Sequence, residues 1–309
     1  MNKKHLLKLN DYSKQEIIEI LELAEQLKYE TRHGIPHDRL RGKTLGMIFQ
    51  KSSTRTRVSF EVGMYQLGGH ALFLSSKDIQ MGRGEPIKDT ARVLSRYVDG
   101  IMIRTYSQKE VEELAYYSSV PVINGLTDDE HPCQVLADLL TIKEFKRKFE
   151  GLKVAFIGDG NNMANSLMVG CLKLGMNIAI ATPEGFEPQA HIIDEVKEIE
   201  KESKGKLYLV NSPKEAATGA DVLITDVWVS MGQEEEVKKR KAAFEGFQIN
   251  RELMNLTNKD SLVLHCLPAH RGEEITEEIL EEHEKEIFEE AENRLHVQKA
   301  VMVKLMAKS

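Results

Sequence analysis

Cysteine, aromatic residues and long apolar runs are all scarce in this chain. Its 309 residues include three cysteines and one tryptophan. Cys133, Cys171 and Cys266 form an odd set without a CxxC pair, which excludes a disulfide-stapled secreted scaffold and suits a reducing compartment. No run approaches the roughly 20 apolar residues of a membrane span, and the apolar stretch near the N-terminus is too short for a signal peptide. We therefore expect a cytoplasmic protein.

An excess of positive charge is also missing. The chain has 42 Lys and Arg residues against 49 Asp and Glu, so its net charge is -7. Such a chain lacks the broad positive field that binding to nucleic acid or to an anionic membrane requires. We expect neither partner, although a local pocket can still be positive and bind a small anion. The remaining composition, 41% hydrophobic and 29% charged, is that of an ordinary globular protein.

Short apolar runs alternate with amphipathic helices over the first half of the chain. Ser13 followed by Glu16 predicts a capped first helix over residues 13–28. The predicted strands, all expected to be buried, cover residues 45–49, 71–74, 101–103 and 120–123. The predicted helices between and after them cover residues 57–67, 89–97, 109–117 and 133–145. Repeated strand–helix–strand units indicate a parallel sheet covered on both faces.

A charged stretch at residues 144–151 interrupts this pattern, and a second series follows. Its predicted strands cover residues 154–157, 178–181, 207–210, 222–225 and 262–265. Helices over residues 165–174, 188–201 and 234–244 separate most of them. The acid-rich residues 273–292 predict a solvated helical face, and residues 294–306 predict another helix.

The length and this alternation together predict the fold. At about 150 residues per domain, 309 residues predict two domains. We predict an α/β fold in which each domain is a mostly parallel sheet with helices on both faces. The boundary lies near residue 150, so residues 1–149 form the first domain and residues 150–290 the second.

Five polar loops follow predicted strands, where open parallel sheets bind ligands. They cover residues 51–57, 104–105, 128–134, 226–232 and 265–271. The first three belong to one predicted domain and the other two to the other. We expect a cleft between the domains to bring these loops together.

The loop at residues 52–57, Ser-Ser-Thr-Arg-Thr-Arg, predicts an anion site. Backbone N–H groups at a helix start attract phosphate, hydroxyls add hydrogen bonds, and arginines add charge-assisted contacts. The loop is not a P-loop, because the GxxxxGK[ST] pattern is absent. An ordinary capped helix with exposed arginines is the alternative interpretation.

The turn Gly158-Asp159-Gly160-Asn161-Asn162-Met163 follows a predicted strand and precedes a predicted helix. A dinucleotide fingerprint would have its third glycine where Met163 stands. The next strand also ends without the acidic residue that would bind a ribose. Dinucleotide binding is therefore disfavoured, and a tight turn that directs Asn162 toward the cleft is the better interpretation.

Two histidine-containing stretches raise the question of a metal site. His131-Pro132-Cys133-Gln134 opens a helix, where the charged form of an imidazole is disfavoured, so we expect His131 to be neutral and able to donate a hydrogen bond. A helix cap is its alternative role. Residues 265–270 contain two more histidines and Cys266, but the spacings do not match a structural zinc site. We expect no metal.

Two further loops stay open between function and packing. Asp226 offers a carboxylate for an ammonium group, and the Ser-Met-Gly turn at residues 230–232 exposes backbone polar groups. The same loop carries Trp228, so it serves equally well as a packing element. Residues 77–85 are polar and punctuated by glycine, which is typical of a long mobile loop.

Together these stretches resemble the transcarbamylase family, and within it the members that act on ornithine. Residues 53–57 are similar to the family's carbamoyl phosphate motif, and residues 131–134 to a second one. Asp226 with residues 230–232, and residues 265–268, are similar to ornithine-type signatures. The resemblance covers essentially the whole chain, and an aspartate-type member would carry a lysine where Gln80 stands.

The resemblance implies two α/β domains, the first for carbamoyl phosphate and the second for the amino acid. It implies a homotrimer with active sites near subunit interfaces, in which the loop carrying Gln80 reaches a neighbouring subunit's site. A C-terminal helix over residues 291–309 is implied to pack back on the first domain, so that Arg294 approaches carbamoyl phosphate. No cofactor and no metal is implied.

The activity implied is transfer of the carbamoyl group of carbamoyl phosphate to the δ-amine of L-ornithine, giving L-citrulline and phosphate, in arginine synthesis or breakdown. The implied catalytic residues are Arg55, Thr56, Arg104, His131 and Cys266. The implied carbamoyl phosphate-binding residues are Ser53, Thr54, Arg55, Thr56, Gln80, Arg104, His131, Pro132, Cys133, Gln134, Cys266, Leu267 and Arg294. The implied ornithine-binding residues are Asn162, Asp226, Ser230 and Met231.

Direct attack by the amine through a tetrahedral intermediate needs no covalent enzyme intermediate. We therefore expect Cys266 to lie beside the amine and orient it, without acting as a nucleophile. Two alternative functions stay open at this point: carbamoyl transfer to putrescine or another amine, and non-catalytic sensing of phosphorylated metabolites. A nucleotide-dependent oxidoreductase is a third alternative, disfavoured by Met163.

Overall fold

The computed structural model describes residues 5–229 and 234–307. The chain divides into two compact units, Met1–Ala137 with Asn293–Ser309, and Asp138–Glu292. The divisions fall inside two helices, Pro132–Lys146 and Glu284–Met306. The functional boundary at residue 149 stays a prediction.

The first unit alternates strands with helices. Its elements are α1 (Lys14–Arg32), β1 (Thr44–Phe49), α2 (Thr54–Gln66), β2 (His70–Ser75), α3 (Ile87–Tyr97), β3 (Gly100–Arg104), α4 (Gln108–Tyr117), β4 (Val122–Leu126) and the start of α5 (Pro132–Lys146). Among the described residues, four strands pair in parallel in the order β2-β1-β3-β4. The predicted capping box is present at α1, where Ser13 and Glu16 exchange hydrogen bonds. Apolar residues of β1, β3 and β4 form one core cluster with α3 and α4.

One predicted strand differs from the prediction in its burial. Residues 71–74 lie within β2, which forms the edge of the sheet and, in the described part of the chain, pairs with β1 alone. Leu72 is 39% exposed and Phe73 38% exposed. The prediction that all four strands are buried is therefore wrong here, because an apolar run does not distinguish an edge strand from a central one.

The second unit repeats the α/β alternation. Its elements are β5 (Lys153–Ile157), α6 (Asn162–Lys173), β6 (Asn177–Ala181), α7 (Ala190–Glu202), β7 (Leu207–Val210), α8 (Pro213–Ala217), β8 (Val222–Thr225), α9 (Val237–Ala243), α10 (Arg251–Met254), β9 (Leu262–His265), α11 (Glu277–Glu282) and the start of α12 (Glu284–Met306). Within the described part, five parallel strands lie in the order β7-β6-β5-β8-β9. Two units built from helix-flanked parallel sheets confirm the predicted fold class.

The acid-rich residues 273–292 are not simply a solvated face. Glu274 and Glu290 are buried, and each accepts hydrogen bonds within the second unit. The terminal helix also begins earlier than predicted, since α12 runs unbroken from Glu284 to Met306. The other acidic residues of the segment are exposed or half-buried, so the prediction holds for them and is wrong for Glu274 and Glu290 alone, because composition does not distinguish a buried carboxylate with a specific partner from an exposed one. None of the helices in the described ranges is long and apolar enough to cross a membrane.

Candidate active site

The motif at residues 53–57 forms the first turn of α2 and is not a loop before it. Ser53 caps the helix, because its Oγ accepts a hydrogen bond of 3.2 Å from the Thr56 backbone N–H. The helix therefore begins at Thr54 and not at residue 57 as predicted. First-turn N–H groups that lack a partner within the helix attract anions. Thr54 and Arg55 are exposed here, while Thr56 is buried.

Arg104 lies at the same edge of the first sheet. It is the last residue of β3, is 5% exposed, and its carbonyl oxygen accepts a 2.9 Å hydrogen bond from the Gln50 N–H after β1. In the order β2-β1-β3-β4, the chain connects β1 to a strand on one side and β3 to a strand on the other. Diverging connections of this kind leave a crevice at the carboxyl ends of the two central strands. Ser53 and Arg104 both border this position.

Lys51, for which the sequence predicted no individual role, connects three loops of the first unit. Its ammonium group is buried, forms an ion pair with Asp128 and lies 4.3 Å from the centre of the Tyr106 ring. The three residues follow β1, β4 and β3, so this contact ties together the loops at the carboxyl ends of three strands. The signal in the sequence was a lysine directly before the anion motif.

Arg294 joins the two predicted carbamoyl phosphate motifs. Its Nη1 donates a 2.6 Å hydrogen bond to Gln134 Oε1, and its Nη2 donates one of 3.3 Å to Thr56 Oγ1. The guanidinium is buried. The structure thus places this C-terminal residue against the first turns of α2 and α5, and its approach to carbamoyl phosphate stays a prediction.

His131 lies directly before α5 and its side chain is buried. Burial lowers the pKa of its imidazole well below the ordinary value, and the guanidiniums of Arg294 and Arg104 lower it further. The predicted neutral state agrees with this direction. The cause differs from the one predicted, because burial and two neighbouring cations act here, where the sequence suggested only the helix start.

Three other predicted residues of the first unit are placed as follows. Pro132 begins α5, and the Sγ of Cys133 donates a 3.5 Å hydrogen bond to the carbonyl oxygen of Asn124 on β4. Burial raises the pKa of the Cys133 thiol to about 11, so it is protonated at neutral pH. Gln80 is exposed on a short 3-10 turn, Gln80–Arg83, and its role toward a neighbouring subunit stays a prediction.

Asp226 is the centre of the polar cluster in the second unit. It follows β8, is 9% exposed, and its Oδ1 accepts hydrogen bonds from the Cys266 thiol at 3.0 Å and from the Val227 N–H at 2.8 Å. Its Oδ2 accepts one of 3.1 Å from Asn161 Nδ2. The strand order of this sheet reverses between β5 and β8, so Asn161 and Asp226 follow the two strands that flank the reversal.

Cys266 is a poor nucleophile in this environment. Burial raises the pKa of its thiol well above the ordinary value, and the negative charge of Asp226 and the hydrogen bond to it raise the pKa further. A thiolate is needed for nucleophilic attack. The chemistry therefore favours the predicted orienting role over covalent catalysis.

Asn161 lies beside Asp226, whereas the sequence predicted a role for the next residue, Asn162. The Oδ1 of Asn161 accepts hydrogen bonds from the Met163 and Ala164 N–H groups and so caps α6, which begins at Asn162. An asparagine directly before a helical run was the available signal. A Cβ added at Gly160 would collide with the backbone at residues 187–188, so a close approach of two chain segments requires this glycine, independently of any nucleotide.

His265 and Glu274 support the backbone at Cys266 and Leu267. His265 Nδ1 accepts a 2.9 Å hydrogen bond from the Leu267 N–H, so its Nε2 carries the hydrogen and donates to Glu274 Oε1 at 3.0 Å. Glu290 accepts from the His265 backbone N–H at 2.8 Å. Leu267 has φ of 55°, a left-handed conformation that is costly for a leucine and persists only where its surroundings fix it.

Arg240 is a further residue that the sequence did not reveal. Its Nη1 donates to Asp159 Oδ2 at 2.7 Å and to the Trp228 carbonyl oxygen at 3.2 Å, and both ionic side chains are 9% exposed. Arg240 thus ties the segment after β5 to the segment after β8. Ser230 and Met231, predicted to bind ornithine, lie outside the described residues.

No group of three or more His, Cys, Asp or Glu side chains in the described ranges is arranged to hold a metal ion.

Two family models match the chain. One, "Aspartate/ornithine carbamoyltransferase, carbamoyl-P binding domain", matches residues 4–144, and the other, "Aspartate/ornithine carbamoyltransferase, Asp/Orn binding domain", matches residues 150–305.

The chain belongs to the aspartate/ornithine carbamoyltransferase family.

Similar proteins within this carbamoyltransferase family share most of the sequence. The ornithine carbamoyltransferase of Carboxydothermus hydrogenoformans is 58% identical over 300 residues, which cover 97% of this chain and 96% of that protein. That of Syntrophotalea carbinolica is also 58% identical, over 99% of this chain and 100% of its own. A solved structure of ornithine carbamoyltransferase from Pyrococcus furiosus matches with a TM-score of 0.95 at 52% identity, covering 99% of this chain and 98% of that one.

Proposed function

We propose that this carbamoyltransferase transfers the carbamoyl group of carbamoyl phosphate to the δ-amine of L-ornithine, forming L-citrulline and phosphate. The observation that carries the proposal is identity of 58% over nearly the full length to enzymes named ornithine carbamoyltransferase. The two family models, one for carbamoyl phosphate binding over residues 4–144 and one for aspartate or ornithine binding over residues 150–305, support a division of the two substrates between the two halves of the chain.

In the first domain, Ser53, Thr54, Arg55 and Thr56 hold the phosphate of carbamoyl phosphate. The exposed first turn of α2 supports this assignment, because its N–H groups and the Arg55 guanidinium together provide hydrogen bonds and positive charge. Arg294 contributes further charge through its position beside Thr56. The start of α5, with Pro132 and Cys133, lines the same substrate, and Gln80 is supplied by a neighbouring subunit.

The carbonyl oxygen of the substrate is polarised by Thr56, Arg104 and His131. The lowered pKa of His131 supports this role, because a neutral imidazole can donate a hydrogen bond to a developing oxyanion. Removing one oxyanion donor typically costs about 3–4 kcal/mol of transition-state stabilisation. Gln134 holds the carbamoyl amino group, and its position beside the Arg294 guanidinium at the start of α5 supports this role, because an amide oxygen accepts hydrogen bonds from N–H groups.

In the second domain, Asn162, Asp226, Ser230 and Met231 bind the α-amino and α-carboxylate groups of ornithine. Cys266 and the Leu267 carbonyl lie at the reacting end. The thiol of Cys266 donates a hydrogen bond to Asp226. This hydrogen bond moderates the negative charge of the carboxylate that binds the α-amino group. An alkylamine with a pKa of about 10.4 is almost wholly protonated at pH 7, so the site must favour the neutral δ-amine by excluding water.

The reaction proceeds by direct addition and elimination. The δ-nitrogen lone pair forms a bond to the carbonyl carbon, and the C=O electron pair moves to oxygen. The carbonyl then re-forms, the C–O bond to phosphate breaks with its electron pair on the phosphate oxygen, and phosphate accepts the proton released by the amine. Both substrates must be bound at once, and water must be kept from the acyl phosphate.

We further propose a cytoplasmic homotrimer that acts in arginine metabolism. Exposed apolar side chains on α2 and β2 support assembly through the first unit, because monomers rarely leave such groups clustered in water. They are Val58, Val62, Tyr65, Leu72 and Phe73.

The deciding test is citrulline formation from carbamoyl phosphate and ornithine, with putrescine as a competing acceptor and reverse phosphorolysis measured alongside. Citrulline formation far above the non-enzymatic rate is expected. Faster carbamoylation of putrescine would refute the roles of Asp226, Ser230 and Met231. Phosphate binding without any turnover would indicate a metabolite sensor.

A further inference from the structure

The C-terminal part of α12 contains a lysine that is completely buried and lies outside the candidate site. Lys299 Nζ donates hydrogen bonds to Thr31 Oγ1 at 2.6 Å and to Gln66 Oε1 at 2.9 Å, and it lies 3.2 Å from His37 Nε2. An ammonium group has three N–H donors. Three acceptors from three different parts of the first unit therefore match the donors of this one side chain.

Two of these acceptors are oriented toward Lys299 by hydrogen bonds of their own. His37 Nδ1 lies 2.8 Å from the Ile35 carbonyl oxygen, so Nδ1 carries a hydrogen and Nε2 of the neutral ring accepts. Thr31 donates its hydroxyl hydrogen to the Leu27 carbonyl at 2.7 Å, which leaves its oxygen lone pairs for the ammonium. Thr31, His37 and Gln66 therefore form an acceptor cage around the Lys299 ammonium, whose pKa burial lowers to about 8.

The cage connects α12 to both neighbouring helices. Thr31 lies in the last turn of α1, and Gln66 is the last residue of α2. The helices α2 and α12 also approach closely at Gly63, where an added Cβ would lie 3.0 Å from Met302 Cε and 3.2 Å from Lys299 Cγ. Lys299 thus fixes α12 against the end of α2 that is opposite to Thr56.

Arg294 is five residues before Lys299 on the same rigid helix, about 7.5 Å along its axis. Its contact to Thr56 Oγ1 is 3.3 Å long, near the upper limit of a hydrogen bond. A displacement of α12 by about 1 Å is enough to break such a contact. The position of the guanidinium therefore depends on what holds α12 in place.

We propose that Lys299 is a positioning residue for the anion site: by pinning α12 to the ends of α1 and α2, it sets the Arg294 guanidinium against Thr56 and Gln134. The proposal rests on the function proposed above, because it assigns Arg294 to phosphate binding. Lys299 touches no substrate, and its effect passes through Arg294.

The test compares Lys299→Met with Lys304→Met. Both remove an ammonium from α12, but the hydrogen-bonded ion pair of Lys304 is with Glu19 of α1, whereas Lys299 also donates to Gln66 of α2. Calorimetry with inorganic phosphate gives the affinity of the anion site independently of turnover, and thermal melting reports folding. We expect Lys299→Met to weaken phosphate binding and raise the KM for carbamoyl phosphate, each roughly tenfold, with the KM for ornithine unchanged. Lys304→Met should leave the phosphate affinity as it is.

A double-mutant comparison separates positioning from a merely structural role. In an Arg294→Ala background, Lys299→Met should cause no further loss of phosphate affinity, because the residue through which it acts is gone. A lower melting temperature with unchanged phosphate affinity, or losses that multiply with those of Arg294→Ala, would overturn the proposal. If Lys299→Met does not fold, Gln66→Met removes one acceptor only and should weaken phosphate binding to a smaller degree. Unchanged binding in that variant would also overturn it.

The two proposals fail in different ways. A wild-type protein that binds phosphate but forms no citrulline refutes the proposed function and leaves the phosphate comparison readable. A wild-type protein that forms citrulline, with equal phosphate affinity in Lys299→Met, refutes only the positioning role. A wild-type protein that does not bind phosphate at all refutes the positioning role as well.

Discussion

Arg294 Nη1 lies 2.6 Å from Gln134 Oε1, although the two residues are 160 positions apart in the chain. This hydrogen bond fixes which end of the Gln134 carboxamide faces the guanidinium. It also joins the C-terminal helix to the start of α5, where His131 precedes the helix. Binding of carbamoyl phosphate is therefore expected to depend on residues at both ends of the first unit's sequence.

Arg55→Ala is expected to lower turnover by at least about 100-fold while the protein stays folded. Arg55 is exposed at the first turn of α2, so its loss removes charge without opening the core. Arg57→Ala is the matched control, because Arg57 is paired with Glu61 at 3.0 Å and lies over the Phe73 ring. Citrulline assays and circular dichroism of both variants check this. Equal activity of Arg55→Ala and the wild type would refute the phosphate assignment.

Cys266→Ala is expected to raise the KM for ornithine about tenfold without eliminating turnover, since a hydrogen bond to a charged group contributes about 1.5–3 kcal/mol. The thiol donates to Asp226 and its raised pKa keeps it protonated. For the same reason, iodoacetamide should inactivate the enzyme slowly at pH 7. A folded but completely inactive variant, or rapid alkylation at one residue, would instead indicate a nucleophilic cysteine.

The free energy of unfolding is expected to decrease as the pH falls below about 6.5, the ordinary pKa of a histidine, because of His131. The pKa of this imidazole is lowered in the fold, so the unfolded chain takes up its proton at a pH where the folded unit does not. The free energy of unfolding therefore decreases as the pH falls through this window. Denaturant melts at several pH values should show a shallower acid slope for His131→Asn. Identical slopes for the two proteins would contradict the buried neutral state.

Glu274→Leu is expected to destabilise the protein by about 1–3 kcal/mol, because it leaves the buried Nε2–H of His265 without its acceptor. Glu274→Gln keeps an acceptor oxygen at this position and is the matched control. Chemical denaturation of both variants measures the difference. If the two substitutions had equal and small effects, the hydrogen bond to His265 would not be what fixes the Cys266–Leu267 backbone.

Inactive Gln80→Ala and Arg55→Ala subunits are expected to regain activity when mixed. If Gln80 acts in a neighbouring subunit's site, some sites in a mixed oligomer carry both native residues. Refolding the two variants together and assaying citrulline formation checks this, with each variant refolded alone as the reference. Activity no higher than that of the separate variants would mean that each site is made by one subunit.

The sequence predicted the strands well because their apolar runs are fixed by local composition. All nine strands that the structure shows in its described ranges overlap predicted ones. Helix starts were less accurate where a cap decides them: Ser53 begins α2 at Thr54, and Asn161 begins α6 at Asn162, each three residues before the predicted start. A cap depends on one side-chain hydrogen bond, which hydrophobic periodicity does not reveal.

The sequence by itself determined the α/β class, the order of the elements and the family, because periodicity and short motifs are encoded in neighbouring residues. The tertiary structure alone decided which distant side chains meet: Arg294 with Gln134, Arg240 with Asp159, and Lys299 with Gln66. It also decided that β2 is an exposed edge and that Glu274 is buried. Such contacts join positions far apart in the chain, and the burial of a polar group becomes favourable only once the fold supplies its partner.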